Sequence, residues 1–370
     1  MLTIGALLAT AACTSVTPPS GAIPTIPTTV PTSTAVPSTT SAAPTTTRIA
    51  SSTTSTASST TTAPPSTVIE RVVTLGDSYS SGQGIHDDAD QYDDHGPPAH
   101  SFDPDTRLGG STCHRETDTT PGPLLAEQLG AASVFVACSG AVIAEIDNQL
   151  AVAGIPGDGA GTLVTMTIGG NDLRTGEGYD WPTALLECIT SFGCNDDEVG
   201  GLDNLDAVED GLRALYTGMG ERYPSAHVRV LAYPSLMQAD RLGCVGVVGV
   251  GRAEADWIDG QEALFVERIE RAVTAAAATT GADLRFVGVD DAFDNHGACR
   301  TFGRDRYVRS IVRGTTLSRS IDPNGEVVEH RDDGVFTISP ASFHPSQRGY
   351  DAFYEVLVES LPAGVTIRSD

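Results

Sequence analysis

The chain has 370 residues and a formal net charge of −26, and all 22 of its basic residues are arginine. Because so acidic a surface repels phosphate backbones and anionic headgroups, the composition argues against nucleic-acid binding and against electrostatic attachment to a membrane. A hydrophobic fraction of 40% is enough for an ordinary globular core.

The start of the chain predicts an export signal. Residues 1–13 form an apolar segment that ends at Cys13 in a sequence resembling a bacterial lipoprotein cleavage box. A lipid on Cys13 would anchor the chain to the outer face of a membrane, and an unmodified cysteine is the alternative. The segment is short and has no basic residue before its apolar run, so a start upstream of Met1 is also considered.

The next segment, residues 14–67, consists almost entirely of Ser, Thr, Pro and Ala. Such a composition cannot bury a core and predicts a disordered linker. We therefore expect a single folded domain over residues 68–370.

Within this domain, short apolar runs alternate with amphipathic helical patterns. The strand-like runs are Val68 to Leu75, Ser133 to Ala137, Leu163 to Ile168, Val228 to Ala232 and Leu284 to Val289. Helical patterns cover Leu202 to Met219 and Ile258 to Val273, and another helix should follow Pro345, with Tyr350, Phe353, Val356 and Leu357 on its inner face. This alternation predicts an α/β protein: a three-layer α/β/α sandwich with a central parallel sheet of about five strands, in a flavodoxin-like arrangement.

Polar motifs follow the predicted strands. The first is Gly76-Asp77-Ser78-Tyr79-Ser80-Ser81-Gly82, which directly follows the first strand. Ligands of parallel α/β sheets bind at the carboxyl ends of the strands, so Ser78 lies where a reactive group is expected. A turn with a helix-capping serine is the alternative interpretation.

Three further motifs follow a predicted strand or precede a predicted helix on the same edge of the sheet. Gly140 follows the second strand, and Gly169-Gly170-Asn171-Asp172 follows the third. The Asn171 amide is an uncharged donor that suits an oxyanion hole, although a Gly-Asn turn is also common. His344 precedes the last helix and is a residue type suited to general-base catalysis, although a lone histidine is ordinarily a surface residue.

In this order the four motifs resemble those of the GDSL/SGNH hydrolase superfamily, and more narrowly those of secreted actinobacterial lipases and esterases with three disulfides. The resemblance implies that Ser78 is the nucleophile and His344 its general base. It also implies that the Ser78 N–H, the Gly140 N–H and the Asn171 amide form the oxyanion hole, with no metal or cofactor.

The chain departs from the family pattern before His344. The family usually has an aspartate where this chain has Ala341. Because a catalytic histidine needs its tautomer fixed, we expect the Ala341 backbone carbonyl to orient His344, as some relatives are understood to do. Asp290, Asp332 and Asp333 are the rival orienting groups.

Six cysteines lie in the predicted domain, and an even number in an exported chain usually indicates disulfides. Their spacing leaves the pairing open. The resemblance implies the pairs Cys113–Cys138, Cys188–Cys194 and Cys244–Cys299.

An acidic cluster follows the nucleophile motif. It comprises Asp87, Asp88, Asp90, Asp93 and Asp94. Calcium binding is conceivable, but the spacing does not match an EF-hand, and a solvated loop is the favoured interpretation.

Together these observations predict an exported, monomeric lipase or esterase that acts on a small-molecule or lipid ester outside the cell. The alternatives are a carbohydrate O-deacetylase of the same superfamily and a non-catalytic binding module of the cell envelope.

Overall fold

The computed structural model describes residues 68–86, 113–191, 199–241, 243–245, 247, 249–300, 306–314, 316–321, 327–332 and 338–367. The predicted signal segment with Cys13, the predicted linker and the acidic cluster lie outside these residues. In the described part of the chain, no helix combines the length and apolar character needed to cross a membrane.

The central sheet has five parallel strands, as predicted. They are β1 (Arg71–Gly76), β2 (Ala132–Phe135), β3 (Thr162–Thr167), β4 (His227–Leu231) and β5 (Asp283–Val287). The strand order is β2-β1-β3-β4-β5, so the first strand lies inside the sheet. A separate antiparallel pair, β6 (Thr316–Ile321) and β7 (Val327–Asp332), was not predicted.

The helices are α1 (Ser78–Ser81), α2 (Pro121–Leu129), α3 (Ile146–Ala153), α4 (Trp181–Ser191), α5 (Leu205–Arg222), α6 (Arg252–Thr280), α7 (Asp290–Phe293) and α8 (Gln347–Glu359). Helices α2 and α8 pack together on one face of the sheet, and α3, α5 and α6 cover the other. The result is the predicted three-layer α/β/α sandwich. The inner strands are buried because both faces of the sheet are covered, and every residue of β3 is buried, whereas the edge strand β2 begins with two exposed residues.

Helix α8 begins just after His344, and a buried arginine fixes its far end. Arg229 on β4 is fully buried, and its Nε donates to the carbonyl of Ser360, 2.7 Å away, at the C-cap of α8. The same guanidinium forms an ion pair with Asp283 of β5 at 3.0 Å. The predicted inner face of α8 is largely confirmed, since Tyr350 and Phe353 are buried.

Two of the disulfides implied by the resemblance are present, Cys113–Cys138 and Cys244–Cys299. Cys188 is also disulfide-bonded. Its expected partner, Cys194, lies outside the described residues, so that pairing stays a prediction. The Cys113–Cys138 bridge ties the start of the segment before α2 to the chain just before Gly140.

Candidate active site

The motif that contains Ser78 forms a sharp turn at the end of β1. Gly76 has φ of +117°, and a Cβ there would lie 2.3 Å from the Thr167 carbonyl oxygen, so glycine is required. Asp77 caps α1 by accepting the Tyr79 N–H at 3.0 Å. Ser78 is therefore the first residue of a short helix at the carboxyl edge of the sheet, where its backbone N–H has no partner within the helix.

Ser78 and His344 are in hydrogen-bond contact. The distance from Ser78 Oγ to His344 Nε2 is 2.8 Å, and His344 Nδ1 lies 3.0 Å from the Ser342 carbonyl oxygen. A carbonyl oxygen can only accept, so Nδ1 carries the ring proton and Nε2 is left as the acceptor of the Ser78 hydroxyl. This is the tautomer that a general base needs.

The prediction that the Ala341 carbonyl orients His344 is wrong, because Ser342 supplies the carbonyl. The Ala341 oxygen instead accepts the backbone N–H of His344 at 3.3 Å. Phe343 lies between them with φ of +61°, and this turn places the Ser342 carbonyl against Nδ1. A backbone carbonyl does contact His344 Nδ1, but it belongs to Ser342 and not to Ala341.

Of the rival aspartates, Asp290 does not take this role. It begins α7 and makes no hydrogen bond to His344. Asp332 belongs to β7, and Asp333 lies outside the described residues, so the alternatives that name these two residues are not tested.

The environment of His344 favours the neutral base. Burial lowers the pKa of His344 to about 4, against the opposing effect of hydrogen bonds to the Ser342 and Pro340 backbone. The Tyr79 ring packs 4.9 Å from the imidazole, and its hydroxyl donates to the Phe343 carbonyl at 2.6 Å. Tyr79 therefore shields the ring and steadies the turn that carries it.

The two predicted oxyanion elements are bound to each other. Asn171 Nδ2 donates to the Ala141 carbonyl at 3.0 Å, which orients the amide and leaves its second N–H for a ligand. In the reverse direction, the Ile143 N–H donates to the Asp172 carboxylate at 3.0 Å. Gly140 and Asn171 line the same cavity as Ser78 and His344.

A tyrosine that the sequence analysis missed links this loop to the nucleophile turn. The Tyr233 hydroxyl donates to the Asp77 carboxylate and accepts the Gly170 N–H at 2.9 Å. Burial raises the pKa of Asp77 to about 7, although the Tyr233 hydrogen bond works against this. The signal was present in the sequence: Tyr233 follows the fourth predicted strand and therefore lies at the same edge of the sheet.

The site opens into a cavity of about 370 Å³. Much of its wall is apolar and comes from α4, α6 and the loops around them; these residues are Leu173, Trp181, Pro182, Leu185, Leu186, Leu236, Phe265 and Ile338. Trp181 of α4 packs 6.2 Å from Trp257 of α6, which joins the two helices along this wall. Such a cleft can bind an apolar chain next to Ser78.

No cluster of three metal-ligating side chains occurs among the residues that the structure describes. The dyad, the amide donors and the apolar cleft suit nucleophilic acyl transfer, in which a serine attacks a carbonyl carbon and the oxyanion accepts hydrogen bonds.

The structure is similar to that of phospholipase A1 from Streptomyces albidoflavus NA297, with a TM-score of 0.51 and 24% sequence identity over 80% of this chain and 100% of that one. At this identity the likeness establishes a shared fold. The extracellular lipase from Streptomyces rimosus gives a TM-score of 0.49 and 22% identity over 79% of this chain and 99% of its own. A catalytic mutant of an acetylxylan esterase from Geobacillus stearothermophilus gives 0.39 and 14% over 79% and 94%. Neither a protein-family model nor a curated protein sequence matches the chain.

Replacing the linking tyrosine tests its contribution. Tyr233→Phe removes a donor from Asp77 and an acceptor from the Gly170 N–H, so kcat for a p-nitrophenyl ester should fall roughly ten- to a hundredfold, with a smaller change in KM. Active-site titration with a fluorophosphonate corrects for misfolded protein.

The matched control is Tyr216→Phe. Tyr216 is fully buried, and within the described structure its hydroxyl has no hydrogen-bond partner, so this change should leave kcat near the wild-type value. Equal effects of the two substitutions, or a change in KM alone for Tyr233→Phe, would contradict the linking role.

The pH dependence of kcat/KM tests the state of His344. Base catalysis by His344 would need the neutral imidazole, so kcat/KM for an ester should rise with pH around a midpoint of about 4 rather than the ordinary 6.5. Asp77, with a pKa of about 7, would add a separate inflection that Asp77→Asn removes. A main midpoint at 6.5 or above would show that His344 is not shielded as described.

Proposed function

We propose that this chain, which has the fold of the GDSL/SGNH hydrolases, is a serine ester hydrolase that cleaves carboxylic esters through an acyl-enzyme on Ser78. The observation that carries the proposal is the hydrogen bond of 2.8 Å between Ser78 Oγ and His344 Nε2. The other ring nitrogen, Nδ1, is hydrogen-bonded to the Ser342 carbonyl.

In the first half-reaction, Nε2 takes the hydroxyl proton while Ser78 Oγ attacks the ester carbonyl. The tetrahedral oxyanion accepts hydrogen bonds from the Asn171 amide and from the Ser78 and Gly140 backbone N–H groups, each worth about 3 kcal/mol in the transition state. The imidazolium then returns its proton to the leaving alcohol, and the acyl group stays on Ser78.

In the second half-reaction, His344 removes a proton from water, which attacks the acyl-enzyme through the same oxyanion. Collapse of this intermediate releases the carboxylic acid and returns the proton to Ser78. The Ser342 carbonyl stabilises the imidazolium in both half-reactions, in the place that an aspartate takes in a triad.

The apolar wall supports an ester with an apolar acyl group as substrate. Burial of each methylene of such a chain contributes about 0.8 kcal/mol, whereas an acetyl group would leave most of the cleft unused. The fold is shared with a protein named phospholipase A1, so lipid esters are the first class to test.

Export is part of the same proposal. The Cys113–Cys138 and Cys244–Cys299 bridges support an oxidising compartment. Residues 1–67 would then provide the signal and tether, with Cys13 as the candidate lipid anchor. We further propose that the catalytic unit acts as a monomer.

Covalent labelling tests the nucleophile. A fluorophosphonate probe should modify the wild-type protein on Ser78, and Ser78→Ala should abolish both labelling and ester hydrolysis. Ser80→Ala is the control, because the Ser80 hydroxyl accepts the Thr167 N–H at 2.7 Å and Ser80 does not line the cleft. Labelling that persists in Ser78→Ala, or is absent in the wild type, would favour a non-catalytic binding module.

A panel of p-nitrophenyl esters tests the acyl group. We expect kcat/KM to be roughly a hundredfold higher for octanoate than for acetate, because the longer chain fills the cleft. A preference for acetate or acetylated xylan would favour the carbohydrate deacetylase instead.

Two exposed leucines provide a matched pair for this panel. Leu186 lines the cleft and is 41% exposed, and Leu264 is 45% exposed outside it. Leu186→Ser should reduce the preference for octanoate, whereas Leu264→Ser should not.

A further inference from the structure

One acidic side chain interrupts the apolar wall of the cleft. Glu262 lies on α6, one turn before Phe265, and is 5% exposed. It lines the cavity together with Leu236 and Trp181. Burying a carboxyl group in such a wall costs free energy unless the group has hydrogen-bond partners.

The two oxygens of Glu262 have different partners. Oε2 accepts the Leu236 N–H at 2.9 Å. The described residues provide no hydrogen bond to Oε1. Within the described residues, Oε1 is not among the fully enclosed side-chain atoms that lack a hydrogen bond. Because Oε1 is not enclosed and Glu262 lines the cavity, Oε1 faces the cavity.

The surroundings of Glu262 favour the protonated form of its carboxyl group. Burial raises the pKa of Glu262 well above its ordinary value, and the neighbouring acids Asp259 and Asp290 raise it further. Because Oε2 accepts the Leu236 N–H, the proton of the protonated form belongs on Oε1. In that form the wall presents an O–H donor to whatever fills the cleft.

We propose that Glu262 selects acyl groups that carry an oxygen acceptor, such as a hydroxyl, keto or ether oxygen, part-way along an otherwise apolar chain. This inference rests on the proposed ester hydrolysis. A plain alkyl chain would leave the Glu262 O–H without an acceptor once water is displaced, whereas a chain oxygen would accept it.

The position of Glu262 on its helix shows that it replaces a core residue. Ile258, Phe265 and Ile269 are buried on the inner face of α6, and Glu262 occupies the step between the first two. An apolar residue there would complete the helix face, but it would leave the Leu236 N–H without an acceptor. Loss of this backbone contact and loss of the polar group that faces the cavity are therefore separated by two different variants.

The experiment compares esters within single protein preparations. The substrates are p-nitrophenyl octanoate and a series of hydroxyoctanoates in which the hydroxyl moves along the chain. For the wild-type protein, kcat/KM for the best hydroxy ester should exceed that for octanoate. In Glu262→Leu, this ratio should fall roughly ten- to a hundredfold. A ratio is independent of the folded fraction, so partial misfolding of the variant does not affect the result.

Glu262→Gln is the matched control. Its amide keeps an acceptor for the Leu236 N–H and a donor for the cavity, so it should retain most of the preference for the hydroxy ester. An equal ratio in the wild type and Glu262→Leu would overturn the role of Glu262. Failure of the wild type to hydrolyse any ester of the series would instead overturn the proposed function on which this role rests.

Discussion

The arrangement of the site depends on the hydrogen bonds that the buried carboxyl group of Asp77 accepts. This group caps the turn that carries Ser78 by accepting the Tyr79 N–H, and it accepts the Tyr233 hydroxyl from the end of β4. Tyr233 in turn accepts the N–H of Gly170, which follows β3. One carboxyl group therefore joins the chain at the ends of three strands, and it sets the position of Ser78 relative to the loop that carries Gly170 and Asn171.

His344, the proposed base, is held by neutral groups. His344 Nδ1 donates to a backbone carbonyl, its ring packs against Tyr79, and burial lowers its pKa to about 4. A carboxylate partner would raise that pKa and stabilise the imidazolium more strongly. The carbonyl fixes the tautomer without adding a charge, so the imidazole stays ready to accept the Ser78 proton across a wide pH range.

The parts of the site that follow strands were predictable, because parallel strands bring their carboxyl ends to one edge. Ser78 and Asn171 were identified in this way. The orienting carbonyl was assigned to Ala341 rather than Ser342, because a positive φ at Phe343 reverses the chain direction and no local pattern indicates it. Tyr233 and Glu262 were not identified, because the role of an aromatic residue after a strand, or of an acid on a helix face, depends on the groups that it contacts.

By itself, the sequence determined the α/β class, the five parallel strands, the residues at their ends and the cysteines available for bridging. Periodicity and strand-end chemistry are local properties, and they are read directly from spacing. The tertiary structure alone decided which carbonyl holds His344, that Tyr233 joins two loops, and that Glu262 faces the cleft. The contacts of Tyr233 and Glu262 join residues far apart in the chain, and they exist because helices and loops from separate segments converge at one edge of the sheet. Ser342 and His344 are only two residues apart, and their contact depends on the turn at Phe343.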